Sequence, residues 1–171
     1  MAHHHHDRGE AQAKLWAMIK GIKVAMMTSW DGQEMHSRPM HGVQKEFTGK
    51  LYFFTRLDSG KTEEIRRYDK INLAYADIDT NTYASVSGAG RINTDRALMK
   101  QFWNPMASAW FPKGLDDPDL ALIEVEAQSA QYWDATSSSM RYLWQVASAN
   151  LTGREPDMGE NQKVSFKAGA A

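Results

Sequence analysis

The run Ile22-Lys23-Val24-Ala25-Met26-Met27-Thr28-Ser29, then Trp30-Asp31-Gly32, then Glu34-Met35-His36-Ser37-Arg38-Pro39-Met40-His41, decides the fold class. The first segment is rich in apolar residues and stops at Asp-Gly, a pair that supplies the positive φ angles of a tight turn. The spacing therefore predicts a β-hairpin. Pro39 has no N–H to give to a ladder, so the second strand belongs at a sheet edge or carries a bulge. Backbone groups around it are free for another partner.

Before the hairpin, Leu15, Met18, Ile19 and Ile22 fall at i, i+3, i+4 and i+7, which predicts an amphipathic helix over residues 12–22. After it, Leu51-Tyr52-Phe53-Phe54 predicts a third strand over residues 50–55. Arg56-Leu57-Asp58-Ser59-Gly60-Lys61 follows, with Ser59 suited to cap a helix over residues 61–68. Ile71, Leu73 and Tyr75 alternate with Asn72 and Ala74, and Asp79-Thr80-Asn81 turns the chain into a long strand over residues 82–92. Asn93 or Thr94 is placed to cap a helix carrying Leu98, Met99, Phe102 and Trp103 on one face. Pro105 and Pro112 bracket a Trp-rich connection that ends in Asp116-Asp117-Pro118, and residues 120–133 form the last strand. Met140, Leu143, Trp144 and Ala147 have helical spacing, and the polar tail beyond Leu151 is expected to be loosely attached.

Six strands joined mostly by short turns, with helices inserted rather than alternating, argue against a doubly wound parallel sheet. They point to an antiparallel barrel with helices on its outside, in the mainly β (α+β) class. The 171 residues suit one domain. Twenty basic against 21 acidic residues leave a formal charge of −1, so no global field draws in nucleic acid or an anionic membrane. Any anion must be held by local groups. The chain has no cysteine, which excludes disulfides, thiolate metal sites and a cysteine nucleophile. No apolar run approaches the roughly 18 residues of a membrane span, no signal-peptide hydrophobic region follows Met1, and a cytoplasmic location is expected. His3 to His6 read as a purification tag, which leaves His36 and His41 as the protein's own histidines.

Three groups of residues could carry chemistry. Ser59, Gly60 and Lys61, with Thr55 and Arg38, combine a helix N-terminus, hydroxyls and cations in a set that suits a phosphate monoester. Taken alone, Ser-Gly-Lys is more simply an ordinary serine cap followed by a solvated lysine, with Arg38 on the surface. Trp103, Trp110, Phe111, Tyr132, Trp133, Tyr142 and Trp144 could wall a planar heterocycle, or fill a core or a dimer interface. His36 and His41 stand an odd number of residues apart on one strand and face opposite ways. They therefore suit surface or structural roles rather than an acid–base pair or a shared metal. The acidic groups Asp77 with Asp79, and Asp116, Asp117 and Asp119, sit where turns call for aspartate, and solvated turns are expected. No metal site, Walker loop, dinucleotide fingerprint or nucleophile elbow is present in the sequence.

In order along the chain, His36-Ser37-Arg38-Pro39-Met40, Leu51-Tyr52-Phe53-Phe54-Thr55 with Ser59-Gly60-Lys61, Tyr83-Ala84-Ser85-Val86-Ser87-Gly88, Trp110-Phe111-Pro112 with Asp116-Asp117-Pro118, and Tyr132-Trp133-Asp134 form a pattern over about residues 12–150. It resembles the general stress proteins of the pyridoxamine-phosphate-oxidase-like superfamily. The resemblance implies a six-stranded antiparallel split β-barrel of Greek-key type that holds FMN at the interface of a homodimer. Residues 1–6 are then a tag remnant, 7–150 the FMN-binding split-barrel domain and 151–171 a polar C-terminal tail. It further implies that Arg38, Thr55, Ser59, Gly60 and Lys61 meet the FMN phosphate, and that Pro39, Met40 and Phe54 lie along the ribityl chain and ring. Trp110 and Trp133 match positions that close the flavin site from the partner or the barrel end, and Tyr83 and Ser85 lie nearby.

One departure bears on activity. True oxidases of pyridoxamine phosphate follow the late tryptophan with an arginine- and histidine-bearing segment, whereas Trp133 is followed here by Asp134-Ala135-Thr136-Ser137-Ser138-Ser139. The expectation is an FMN-binding protein that exchanges electrons with a small molecule at the flavin, with no protein residue singled out as catalytic. The rival readings are a non-catalytic module that stores or senses FMN, a split barrel that uses deazaflavin or haem, and a purely structural dimer whose cleft is filled by Trp110 and Trp133.

Overall fold

Seven antiparallel strands make one sheet in the computed structural model, which describes residues 3–134 and 160–166. The elements are α1 (His3–Ile19), β1 (Val24–Trp30), β2 (Met35–His41), β3 (Lys50–Arg56), α2 (Gly60–Arg67), β4 (Lys70–Asp77), β5 (Thr82–Asn93), α3 (Arg96–Phe102), α4 (Pro105–Trp110), β6 (Leu120–Asp134) and β7 (Glu160–Ser165). A single 3-10 turn, Gly114–Asp116, leads into β6. The sheet order is β2-β1-β4-β5-β6-β3, with β7 also pairing β6. Its two end strands, β2 and β3, meet at one bridge, Gly42 to Phe53, so the sheet curls towards a barrel without closing. The non-sequential neighbours β1–β4 and β3–β6 make the topology a Greek key rather than a meander.

The decisive hairpin forms as its sequence dictates. Asp31 Oδ1 accepts from the backbone N–H groups of Gln33 and Glu34, and Gly32 takes φ +108°. β1 and β2 then pair without a break from Trp30–Met35 to Val24–His41. Pro39 is tolerated because β2 is an edge strand, and no bulge disturbs it. His36 and His41 accordingly keep opposite faces.

The barrel interior is filled by Ala25, Met27, Met40, Leu51, Phe53, Leu73, Val86 and Val125, with Leu15 and Ile19 of α1 packed against them. Each large side chain of this kind contributes about 1.5–3 kcal/mol by leaving water. A second cluster, Phe54, Met99, Ala107, Leu120 and Leu122, lies between β3, β6 and the helices α3 and α4. The first half of β6 is thus covered on both faces, which is why Leu120-Ala121-Leu122-Ile123 is an unbroken apolar run. Glu124 continues that run at only 3% exposure because Lys50, Arg91 and Asn93 converge on its carboxylate.

Several expectations need correction. Helix α1 stops at Ile19, before Gly21, and Ile22 leads into β1. Ser59 occupies the N-cap of α2, but its hydroxyl donates to the Arg56 carbonyl instead of capping. The cap of α3 is Asp95, which accepts from Ala97 and Leu98, while Asn93 holds Asp95 from behind. The Trp-rich connection is itself helical in part: Asn104 caps α4 and Pro105 takes its first position, a pairing visible in the sequence and not used. Asp117 is not a solvated turn residue, being 3% exposed and paired to Arg56. The tail contributes a seventh strand, β7, and buries Phe166. Glu160–Ser165 is almost wholly polar, so one apolar residue, Val164, was too little to mark a strand that is held by backbone pairing with β6. The helix expected around Met140, Leu143, Trp144 and Ala147, with Tyr142, lies outside the described residues.

Candidate functional site

Strand β3 ends at the mouth of the split between β2 and β3, and the turn Leu57-Asp58-Ser59 hands the chain directly to α2. Local hydroxyl chemistry shapes that turn. Ser59 Oγ and Thr62 Oγ1 both donate to the Arg56 carbonyl, at 3.0 and 2.7 Å, and the two oxygens lie 2.9 Å apart. Thr55 Oγ1 stands 3.3 Å from Ser59 Oγ. The hydroxyls face one another, and no side chain caps the first turn of α2. A Cβ built on Gly60 would meet nothing within 4 Å, so the helix N-terminus opens onto free space.

Beside this corner lies a cavity of about 610 Å³. Pro39, Met40 and His41 form one wall from β2, and Phe54, Thr55, Ser59 and Lys61 form the floor and corner. Trp110 and Phe111 close it from α4, together with Met106 and Asn104. Phe54 is buried and held edge-on to Trp103 at 5.4 Å, with Phe111 tilted against it at 5.9 Å. Trp110, by contrast, is 74% exposed at the rim. The aromatic wall is rigid on the inside and open at its edge.

The charges in the cavity are unequal. Arg56 is surrounded by Asp58, Asp117 and Asp119, and the Asp58 carboxylate in particular raises its pKa. Lys61 makes no ion pair among the described residues. Burial lowers its pKa first, and the neighbouring Arg38 lowers it further. It is therefore a half-buried cation in need of an anion. Arg38 does not line the cavity: it donates to Glu64 Oε2 at 2.9 Å and to Ser29 Oγ, behind the corner.

The structure therefore brings Pro39, Met40, Phe54, Thr55, Ser59, Lys61 and Trp110 together, with Gly60 at the helix end and Arg38 adjacent. It does not bring Tyr83, Ser85 or Trp133 to them. Tyr83 pairs with Trp133 across β5 and β6, and Ser85 accepts from Asn72. Phe54 faces Leu122 at the start of β6, and Trp133 lies eleven residues further on, roughly 35 Å along the strand. Sequence reasoning passed over His41, Asn104 and Met106 as cavity residues, whereas Phe111 was among the aromatic side chains expected to be able to wall a ring. Of those passed over, only Asn104-Pro105 had a local signal, that of a helix start.

A half-open antiparallel barrel with a hydroxyl-and-lysine corner under an aromatic wall defines a split-barrel ligand-binding protein. The chain belongs to the Pyridoxamine 5'-phosphate oxidase like family, whose model matches residues 10–157. Protein bli-3 of Neurospora crassa is 31% identical over 162 residues, covering 88% of this chain and 78% of its own length. A candidate general stress protein 26 from Jannaschia sp. CCS1 superposes with a TM-score of 0.75 at 26% identity, over 92% of this chain and 99% of that one. The general stress FMN/FAD binding protein from Xanthomonas citri gives 0.67 at 31% identity, over 76% of this chain and 92% of that one. Among the described residues no helix is long and apolar enough to cross a membrane, and no group of three or more metal-ligating side chains gathers.

Proposed function

We propose that this chain is an FMN-binding flavoprotein of the general stress type, a small-molecule redox protein that works in the cytoplasm as a homodimer. One observation carries the reading. Thr55, Ser59, the open N-terminus of α2 and Lys61, which has no ion pair among the described residues, share a corner of a cavity whose other walls are mainly apolar and aromatic, with His41 and Asn104 among them. A hydrophilic phosphate at one end and a flat ring at the other match that division. The Xanthomonas citri relative, described as binding FMN or FAD, adds support. A terminal phosphate monoester suits a corner in which Lys61 is the one cavity cation without an ion pair among the described residues, because the next cation along, Arg56, is already held by three carboxylates.

In this reading Lys61, Thr55, Ser59 and the Gly60 backbone hold the phosphate, and Pro39, Met40 and Phe54 line the ribityl chain and ring. Trp110 covers the ring's edge. Bound FMN supplies the electron-accepting ring. The protein's part is to exclude water from one face and fix the ring's position. A partner protomer would cover the outward face of β1 and β2, where Val24, Met26, Trp30 and Met35 are 47, 43, 37 and 71% exposed. It would also carry its own Tyr83, Ser85 and Trp133 to this cavity.

The test is to purify the protein without added cofactor, record its visible absorption, and titrate it with FMN, FAD and riboflavin by flavin fluorescence. The expected result is FMN bound at least tenfold more tightly than riboflavin. Equal affinities would remove the phosphate corner from the site. Binding of neither flavin would refute the reading, and anaerobic bleaching by reduced nicotinamide separates a redox protein from a flavin store.

A further inference from the structure

We propose that Thr62 is a positioning residue: it holds the Arg56 carbonyl so that the Ser59 hydroxyl can turn its proton to the flavin's phosphate. The inference rests on the FMN reading above. Thr62 is fully buried and stands behind Ser59, which lines the cavity. The two are three residues apart at the start of α2, a spacing that puts them on one side of the helix.

The Arg56 carbonyl oxygen accepts from Thr62 Oγ1 at 2.7 Å, from Ser59 Oγ at 3.0 Å and from the Ser59 backbone N–H at 3.3 Å. A carbonyl oxygen has two lone pairs, so three donors are one more than it can fully engage. The shortest of these bonds is the one from Thr62. The hydroxyls are crowded in the same way. Ser59 Oγ and Thr62 Oγ1 lie 2.9 Å apart, so two contacts to the carbonyl and one between the hydroxyls share two hydroxyl protons. One of the contacts always lacks a proton. Ser59 is the donor that can leave, because Thr62 and the Ser59 N–H still fill the carbonyl after it turns.

An anion in the corner calls for that turn. Ser59 Oγ and Thr55 Oγ1 lie 3.3 Å apart and both line the cavity, next to Lys61 and the open N-terminus of α2. A hydrogen bond to an ionised oxygen is stronger than one to a neutral carbonyl. The Ser59 proton therefore moves towards a phosphate, provided that the carbonyl it leaves keeps a partner. Without the Thr62 hydroxyl, the Arg56 carbonyl would keep only the long bond from the Ser59 N–H, and the Ser59 proton would be held in place. Thr62 thus acts on how the phosphate is bound and leaves the ring contacts alone.

Thr62→Val removes the hydroxyl and keeps the size and the branching. The experiment titrates the full-length wild type, T62V, T62S, S59A and the S59A/T62V double variant with FMN and with riboflavin by flavin fluorescence. The expected result is FMN bound about fivefold to tenfold more weakly by T62V, as for the loss of part of one charge-assisted bond. Riboflavin should be unchanged within about twofold, and adding T62V to S59A should change FMN affinity by about twofold or less, because Ser59 then has no proton to turn. T62S restores the hydroxyl and should bind both flavins as wild type does. A merely structural Thr62 would weaken both flavins alike, or weaken FMN as much without the Ser59 hydroxyl as with it, and either result overturns the inference. So does FMN affinity unchanged in T62V, or T62S binding FMN as weakly as T62V. Should T62V not fold, T62S and T62A, which differ by the hydroxyl alone, carry the comparison: FMN bound more tightly by T62S with riboflavin bound alike upholds the inference, and equal FMN affinities overturn it. Wild type binding no flavin refutes the FMN reading itself and this inference with it; wild type binding FMN without the selective loss in T62V refutes this inference alone.

Discussion

Replacing Lys61 with methionine removes the charge from the cavity corner while keeping most of the aliphatic stem. In the free protein Lys61 has no ion-pair partner among the described residues, and burial already works against its charge. Its loss should therefore leave the stability of the unliganded fold within about 1 kcal/mol of wild type. Binding is different. A hydrogen bond to a charged group is worth about 1.5–3 kcal/mol, which is about tenfold to a hundredfold in Kd. Lys61 lines the cavity and makes no ion pair among the described residues, so the loss of FMN affinity should fall within that range. Fluorescence titration of wild type and Lys61→Met with FMN and riboflavin measures this directly. Riboflavin has no phosphate, so its affinity should not change. FMN affinity unaltered in the variant, or both flavins weakened alike, would refute the assignment of Lys61 to the phosphate and leave it as a packing residue.

Three further outcomes follow from the packing and charges. The Glu124 carboxyl is pushed up by burial and then held down to about 2 by hydrogen bonds from Arg91, Lys50 and Asn93. Its folded-state pKa is depressed, so its stabilisation is complete above its ordinary value of 4.5 and is lost as pH falls towards about 2. Denaturation of wild type against Glu124→Gln should show a gap of at most about 3 kcal/mol at neutral pH that closes in strong acid, and a gap independent of pH would contradict the charge account. Gly88 sits at the β5–β6 register shift, where an added Cβ would lie 2.3 Å from the Glu126 carbonyl oxygen, so Gly88→Ala should cost about 3 kcal/mol, or roughly 6–12 °C in Tm. An unchanged melting temperature would mean that the shift relaxes freely. The Asp31 carboxylate, 2.8 Å from His36, raises the imidazole pKa above 6.5, so this pairing stabilises the hairpin below that pH and is lost as pH rises through the raised value. Proton NMR should find His36 titrating above 6.5 in wild type and lower in Asp31→Asn.

How far the sequence could be read depended on whether the cause of each feature was local. The Asp31-Gly32 turn and the alternation in β4 are produced by neighbouring residues, and each appears in the structure where its sequence put it. The corner of Thr55, Ser59, Gly60 and Lys61 was legible for the same reason, since one turn assembles it. What failed was set by contacts remote in sequence. Asp117 looks like a turn residue until Arg56, 61 positions away, arrives to pair with it. Strand β7 has almost no apolar signal of its own and exists because β6 offers it an edge. His41 looked like a surface residue because nothing in its own strand shows that α4 will form the facing wall.

The distance between the two halves of the expected site is the most informative departure. Thr55, with Lys61 close by, stands at the start of β6, while Tyr83 and Trp133 stand towards its far end, so within one barrel they lie at opposite ends of the strand. A two-fold pair would resolve this without moving either half. In an isologous contact the surface that receives on one protomer is the surface that gives on the other, so the far end of each β6 can reach the other protomer's cavity. The β2 strand that carries part of the exposed face ends in Pro39 and His41 at the cavity wall. Covering that face and completing the cavity would then be one event, and flavin affinity would fall as the pair dissociates on dilution. The exposed Met35 and the exposed Trp110 would owe their apolar surface to the same cause, each waiting for the other copy.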